Sequence, residues 1–375
     1  MALSLSAATA VALGVLAAPA ASGTGRPDPA RPDLVRPNLV QQGLDALVRT
    51  DGVPAALATV RGRDGGVRHY TAGVADLATG ARVPVDGQVR IGSNTKTFTA
   101  VVVLQLVGEG KVDLDALVDT YLPGLVRGDG IDGRRITVRQ LLQHTSGLPD
   151  YEGLIDEASL RDRYFEPRDL LDIALRQKQQ FAPGERFGYS STGYVLAGLI
   201  VQRVTGRPLA EEIDRRVVRP LGLRHTYFPA VGDRTIREPH PKGYRKDTAG
   251  PLQDFTELDP SAGWAAGQMI STESDLNRFF SELLAGHLLP PAQLAQMRTT
   301  VPVGTTGTAS GLGIFRRPLS CGGVYWGHGG DIPGYETRGG VTEDGRAVTI
   351  AVTTVPADYE VTRRLEGVVD TALCR

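Results

Sequence analysis

The run FTAVVVLQLVGEG, residues 98–110, is apolar on nearly every side when wound as a helix. A helix with no polar face has to be buried, so the fold must be built around it. Directly before it, RIGSNTKTFTA (90–100) places Ser93 and Lys96 three positions apart. On a helix that spacing puts both side chains on one face, one turn apart. Lysine is scarce here: of 41 Lys plus Arg, only Lys96, Lys111, Lys178, Lys242 and Lys246 are Lys. Arginine keeps its proton inside a protein, whereas a desolvated lysine can lose it. Lys96 therefore reads as a base, although a plain surface lysine on a helix also satisfies the bare spacing.

Composition narrows the function classes. With 375 residues, 41% hydrophobic and 22% charged, the chain is globular and holds one large domain or two to three smaller ones. Its formal net charge of −1 offers no basic field for a nucleic acid partner. LSLSAATAVALGVLAAPA, ending in the small-x-small site Ala18-Pro19-Ala20, reads as a signal peptide over residues 1–22. The expectation is a secreted protein with no membrane anchor once that segment is removed. The usual positive n-region is absent, since the first basic residue is Arg26, and an Ala-rich tail is the alternative. Cys321 and Cys374 are the two cysteines. In an oxidising compartment they pair; in a reducing one they are two buried thiols.

Residues 23–38, rich in Pro, Gly and Arg, read as a linker. LVQQGLDALVRT predicts a helix, and PAALATVRG with GGVRHYTAGVAD predicts a hairpin about RDGG. Helices are expected near 137–143, 168–178, 192–205 and 208–218, two more within 272–298, and a last one near 358–372. GLGIFRR, GGVYWGHGG, YETRGGVT and RAVTIAVTTV are short β-type runs. The expected architecture is α/β of the α+β type: an antiparallel sheet from both chain ends, flanked by helices. Residues 39–120 and 255–375 form the sheet-containing domain, and 121–254 an inserted, mostly helical one.

Three positions carry candidate chemistry. Ser93 suits a helix N-cap, but beside Lys96 at the positive helix end it also suits a nucleophile with an adjacent base. Tyr189, in GERFGYSSTGY, either packs the start of the next helix or shuttles a proton, given a nearby ammonium to lower its pKa. His328, in YWGHGGDIPGY, ends an edge-strand pattern whose glycines admit a substrate close to the backbone.

The order Ser-x-x-Lys, Tyr-x-Ser, His-x-Gly resembles the serine β-lactamase and penicillin-binding superfamily. It is most similar to the branch of class C β-lactamases, related esterases and secreted D-alanyl-D-alanine carboxypeptidases. LLQHTSGLPDY (141–151), FAPGERFGYSSTGYVLAGLI (181–200) and SAGWAAGQMISTESDLNRFFSELL (261–284) support the resemblance, which runs from about residue 40 to the end. It implies that Ser93 is acylated, Lys96 is its base and Tyr189 serves the leaving group. The N–H groups of Ser93 and Asp331 would form the oxyanion hole. Ser191, His328, Gly329, Gly330, Trp264 and Phe315 would meet the substrate. The implied substrate is a peptidoglycan-type D-alanyl-D-alanine peptide or a small acyl compound, with β-lactams as inhibitors or substrates. No cofactor, no metal and a monomer are expected.

Two departures bear on substrate rather than mechanism. The second motif usually ends in Asn and here holds Ser191; the third has Gly329 where Thr is common. Phe315 stands where peptidases of this branch place an Arg for the substrate carboxylate. An esterase or β-lactamase on the same fold is the first alternative, and a non-catalytic penicillin-fold binding protein the second. No G-x-S-x-G elbow and no H-E-x-x-H or Cys/His cluster recommends another hydrolase class.

Overall fold

Ala55–Arg61 and Ala347–Val352 are strands with almost no exposed residue. Strands covered on both faces read as continuous apolar runs rather than alternating ones. They pair antiparallel, Ala56 opposite Val352 and Arg61 opposite Ala347, at the heart of a ten-stranded sheet. On one side follow Val67–Asp76 and Ala81–Arg82. On the other come Tyr335–Thr342, Val324–Gly327, Phe315–Pro318, Ala309–Ser310 and Val301–Pro302. Gly330–Ile332 pairs separately with Tyr335–Thr342. The sheet is thus drawn from both chain ends, as the sequence predicts. The computed structural model describes residues 38–246 and 250–375. The expected signal peptide (1–22) and nearly all of the expected linker (23–38) lie outside the described residues.

Helices cover both faces. Leu39–Arg49 and Tyr359–Leu373 lay Val40, Leu44, Leu47, Val361, Leu365 and Val369 into one apolar cluster with Val348 and Ile350. On the opposite face, Asn277 of helix Glu273–Leu284 donates to Thr59 O at 2.8 Å. The same helix stacks Phe279 on Phe98, with ring centroids 3.8 Å apart. Phe98 belongs to the all-round apolar helix, Asn94–Gly108, of whose 15 residues only Gln105, Val107 and Gly108 are not buried. One apolar cluster extends from this helix into Thr192–Thr205 and Trp264–Gly267.

The middle of the chain supplies helices Val138–Leu142, Pro167–Leu175, Thr192–Thr205 and Leu209–Ile213. Thr137 and Gln140 close the first of these with a reciprocal capping box. This stretch also contains a strand pair, Tyr244–Lys246 with Leu252–Asp254, which periodicity did not predict. Cys321 and Cys374 are joined by a disulfide, tying the turn after Phe315–Pro318 to the end of the last helix.

One local expectation is corrected. His328 does not end an edge strand: Val324–Gly327 lies inside the sheet, between Tyr335–Thr342 and Phe315–Pro318. Sheet order depends on pairing across the chain, which the local alternation of residues does not encode.

Candidate active site

Ser93 stands at the start of helix Asn94–Gly108, in a turn entered through Gly92. Lys96 Nζ donates to Ser93 Oγ at 2.9 Å, and Tyr189 Oη donates to the same oxygen at 2.8 Å. Lys96 is fully buried, and its other hydrogen bond runs to Ala266 O at 3.0 Å. Burial holds the Lys96 ammonium below its usual pKa, against the pull of Glu152 and Asp150. A lysine in that state can be neutral at its hydrogen bond to the serine.

Tyr189 behaves differently from the sequence expectation. Burial first, and the Glu152 charge second, push its phenol well above the ordinary value. Tyr189 is therefore a held proton donor, not a phenol half-ionised by the neighbouring ammonium. Its ring stacks on His144, centroids 4.3 Å apart and planes 23° from parallel. Ser190 N donates to His144 Nδ1 at 3.2 Å, which leaves the proton of the neutral ring on Nε2.

His328 is buried and pushed down to about 3, chiefly by burial and then by the Lys96 charge, so it is neutral. Its Nδ1 donates to Gly329 O, and Nε2 is left as a buried acceptor with no partner among the described residues. Phe315 packs edge-on against this ring at 5.0 Å.

A cavity of 490 Å³ opens beside Ser93 and Asp331. Its apolar wall includes Ile155, Leu160, Leu258, Ile332, Val355 and Pro356; Glu152, Arg245 and Lys246 supply charge. Several expected substrate contacts lie elsewhere. Trp264 is not on the cavity wall, because its ring packs against Gly198. Phe315 is likewise core, supporting His328. Ser191 is fully buried, its Oγ has no partner among the described residues, and its N–H meets Asp150 Oδ1 at 3.3 Å. Gly329 and Gly330 serve the protein's own packing: a Cβ at Gly330 would stand 1.9 Å from Ile91 O, and one at Gly329 would meet the Arg338 guanidinium at 2.9 Å.

The sequence reading missed the acids. Asp150 is pushed up to about 6, by burial and then by Glu152, with Lys96 opposing. Both carboxylates bear on Lys96 and Tyr189. LPDYE (148–152) held them in plain sight, but nothing in its spacing marks two loop acids as neighbours of a serine 57 residues away or more. Among the described residues no group of three His, Cys, Asp or Glu side chains is arranged to hold a metal ion.

Residues 39–371 match the beta-lactamase family. The chain belongs to that family. Its fold is similar to that of several solved proteins. A D-stereospecific amidohydrolase from Streptomyces sp. superposes with a TM-score of 0.81 at 39% identity, over 87% of this chain and 97% of that one. The D-amino acid amidase of Ochrobactrum anthropi SV3, solved with L-phenylalanine amide, gives 0.79 at 30% identity, over 89% and 97%. Penicillin-binding protein 4 of Amycolatopsis lactamdurans is 31% identical over 244 residues, 64% of this chain and 61% of its own length. The chain thus spans about three fifths of that relative.

Proposed function

We propose that this beta-lactamase family member is a secreted serine hydrolase that cleaves amide bonds of D-configured substrates through an acyl-enzyme on Ser93. The observation that carries the reading is the convergence of Lys96 Nζ and Tyr189 Oη on one oxygen, Ser93 Oγ, at 2.9 and 2.8 Å. Neutral Lys96 takes the serine proton as Oγ attacks the acyl carbon. The oxyanion is received by the N–H groups of Ser93 and Asp331. Tyr189 gives its proton to the leaving nitrogen and is reprotonated from Lys96. A water then hydrolyses the ester and frees Ser93.

Charge favours a substrate with a free α-ammonium. Glu152 lines the cavity and Asp150 lies behind it at Ser191. Two carboxylates close together attract a cation and disfavour a carboxylate at the same place. The relatives named as a D-stereospecific amidohydrolase and a D-amino acid amidase support this choice, and the apolar wall suits a bulky side chain. The second reading, a D-alanyl-D-alanine carboxypeptidase, draws on Arg245 and Lys246, cations on the same cavity wall able to meet a terminal carboxylate.

The test compares purified protein on D-phenylalanine amide, L-phenylalanine amide and an acyl-D-Ala-D-Ala peptide. Preference for the D-amide supports the reading. Preference for the peptide supports the carboxypeptidase, and equal turnover of both enantiomers contradicts stereospecific action.

A further inference from the structure

We propose that Asn94 and Thr337 form a buried latch that orients the Asp331 half of the oxyanion hole, which makes both of them positioning residues. This rests on the acyl-transfer reading above. Asn94 is the residue after the nucleophile and is 2% exposed; Thr337, on strand Tyr335–Thr342, is fully buried. Asn94 Nδ2 donates to Ile91 O at 3.0 Å and to Thr337 Oγ1 at 2.8 Å. That uses both amide protons. Because Thr337 Oγ1 accepts from Asn94, its own proton is free to point elsewhere, and it donates to Gly330 O at 3.3 Å.

Gly330 O matters because of what shares its peptide plane. The carbonyl of Gly330 and the N–H of Asp331 belong to one trans peptide unit and point in opposite directions. A hydrogen bond that holds the carbonyl therefore aims the N–H. The other donor is set in the same way by backbone alone. Ser93 N–H shares a peptide with Gly92 O, which accepts from Thr95 N at 3.0 Å. Gly92, at φ 47°, lets the two segments meet: a Cβ there would stand 2.9 Å from both Asp331 N and Asp331 O. Thus one peptide plane is fixed by helix geometry, and the other by the pairing of Gly330 opposite Thr337 together with a side-chain relay that starts on the nucleophile's own helix. The Asp331 carboxylate takes no part, being bound by Arg338 at 2.6 Å.

The test is Thr337→Val, which keeps shape and removes the hydroxyl. Losing an oxyanion donor outright costs about 10²–10³ in kcat. A mis-aimed donor should cost less, roughly tenfold in kcat with KM within about twofold. A boronic acid probes the same hole without turnover: its boron accepts a lone pair from Ser93 Oγ and becomes tetrahedral, while the serine proton passes to Lys96. Its affinity should fall by the same factor as kcat, and Thr337→Ser should restore both. If Thr337→Val does not fold, Thr337→Cys, of similar shape and with only a weak donor, is read in the same way. An unchanged kcat, a loss confined to KM, or no rescue by Ser overturns the latch. Failure of the wild-type protein to bind the boronate at Ser93 overturns the acyl-transfer reading instead.

Discussion

Lys96 Nζ sits 2.9 Å from Ser93 Oγ and is bonded to no carboxylate among the described residues, its second partner being the carbonyl of Ala266. A paired lysine would keep its proton; this one is held by burial in a state from which the proton can leave. The arrangement answers why one of so few lysines stands here. Lys96→Arg should keep the charge and lose the base. Acylation should fall roughly 10²–10⁴-fold, nearly as far as in Lys96→Ala. Stopped-flow acylation with a chromogenic substrate measures it, and an arginine variant above about a tenth of wild-type rate would show a purely electrostatic role.

Asp150 should give the site a pH dependence near neutrality. Its carboxyl is raised from 3.8 to about 6, so it gains its charge as pH rises through about 6. Capture of an α-ammonium substrate should improve over that range and appear in KM. Asp150→Asn should abolish this limb, and an N-acylated amide should lack it. The sign for stability is opposite. A raised folded-state pKa means that the native protein binds more protons between about 4 and 6, so stability falls as pH rises across that window. A limb near 6 that survives in Asp150→Asn would assign it to another group.

Ser191 should prove dispensable. Its hydroxyl is buried without a partner among the described residues, and an unsatisfied buried polar group is a cost that alanine removes. Ser191→Ala should melt no lower than wild type and keep its activity. A loss beyond about tenfold in kcat/KM would exceed one lost hydrogen bond, worth roughly 0.5–1.5 kcal/mol, and would place Ser191 at the substrate after all.

The disulfide should matter to stability rather than to chemistry. It closes a loop of 53 positions, which on the chain-entropy account stabilises by about 4 kcal/mol. The double change of Cys321 and Cys374 to Ser should lower Tm and leave kcat unchanged. Calorimetry and steady-state kinetics on the same samples check both halves.

Much of this was legible in the chain. The all-round apolar helix shows in composition alone, and Ser93 and Lys96 follow from helical spacing at its start. Tyr189 and His328 stood out locally as candidates, but joining them to Ser93 needed the family resemblance, because no local rule links them to a serine 96 and 235 residues away. The failures are side-chain directions. Whether Trp264 faces a cavity or Gly198, and whether Phe315 touches substrate or His328, depends on which backbone comes close, and Gly198 is 66 positions from Trp264. The same holds for the Asn94–Thr337 bond, which spans 243 positions between two residues of unremarkable local context.

The central claim, acylation of Ser93, is tested most directly by intact-protein mass spectrometry after brief mixing with penicillin or a D-amino acid ester. The account predicts a single acyl adduct that maps to the peptide containing Ser93 and is absent from a folded Ser93→Ala variant. An adduct on another residue, or undiminished hydrolysis by Ser93→Ala, would contradict it.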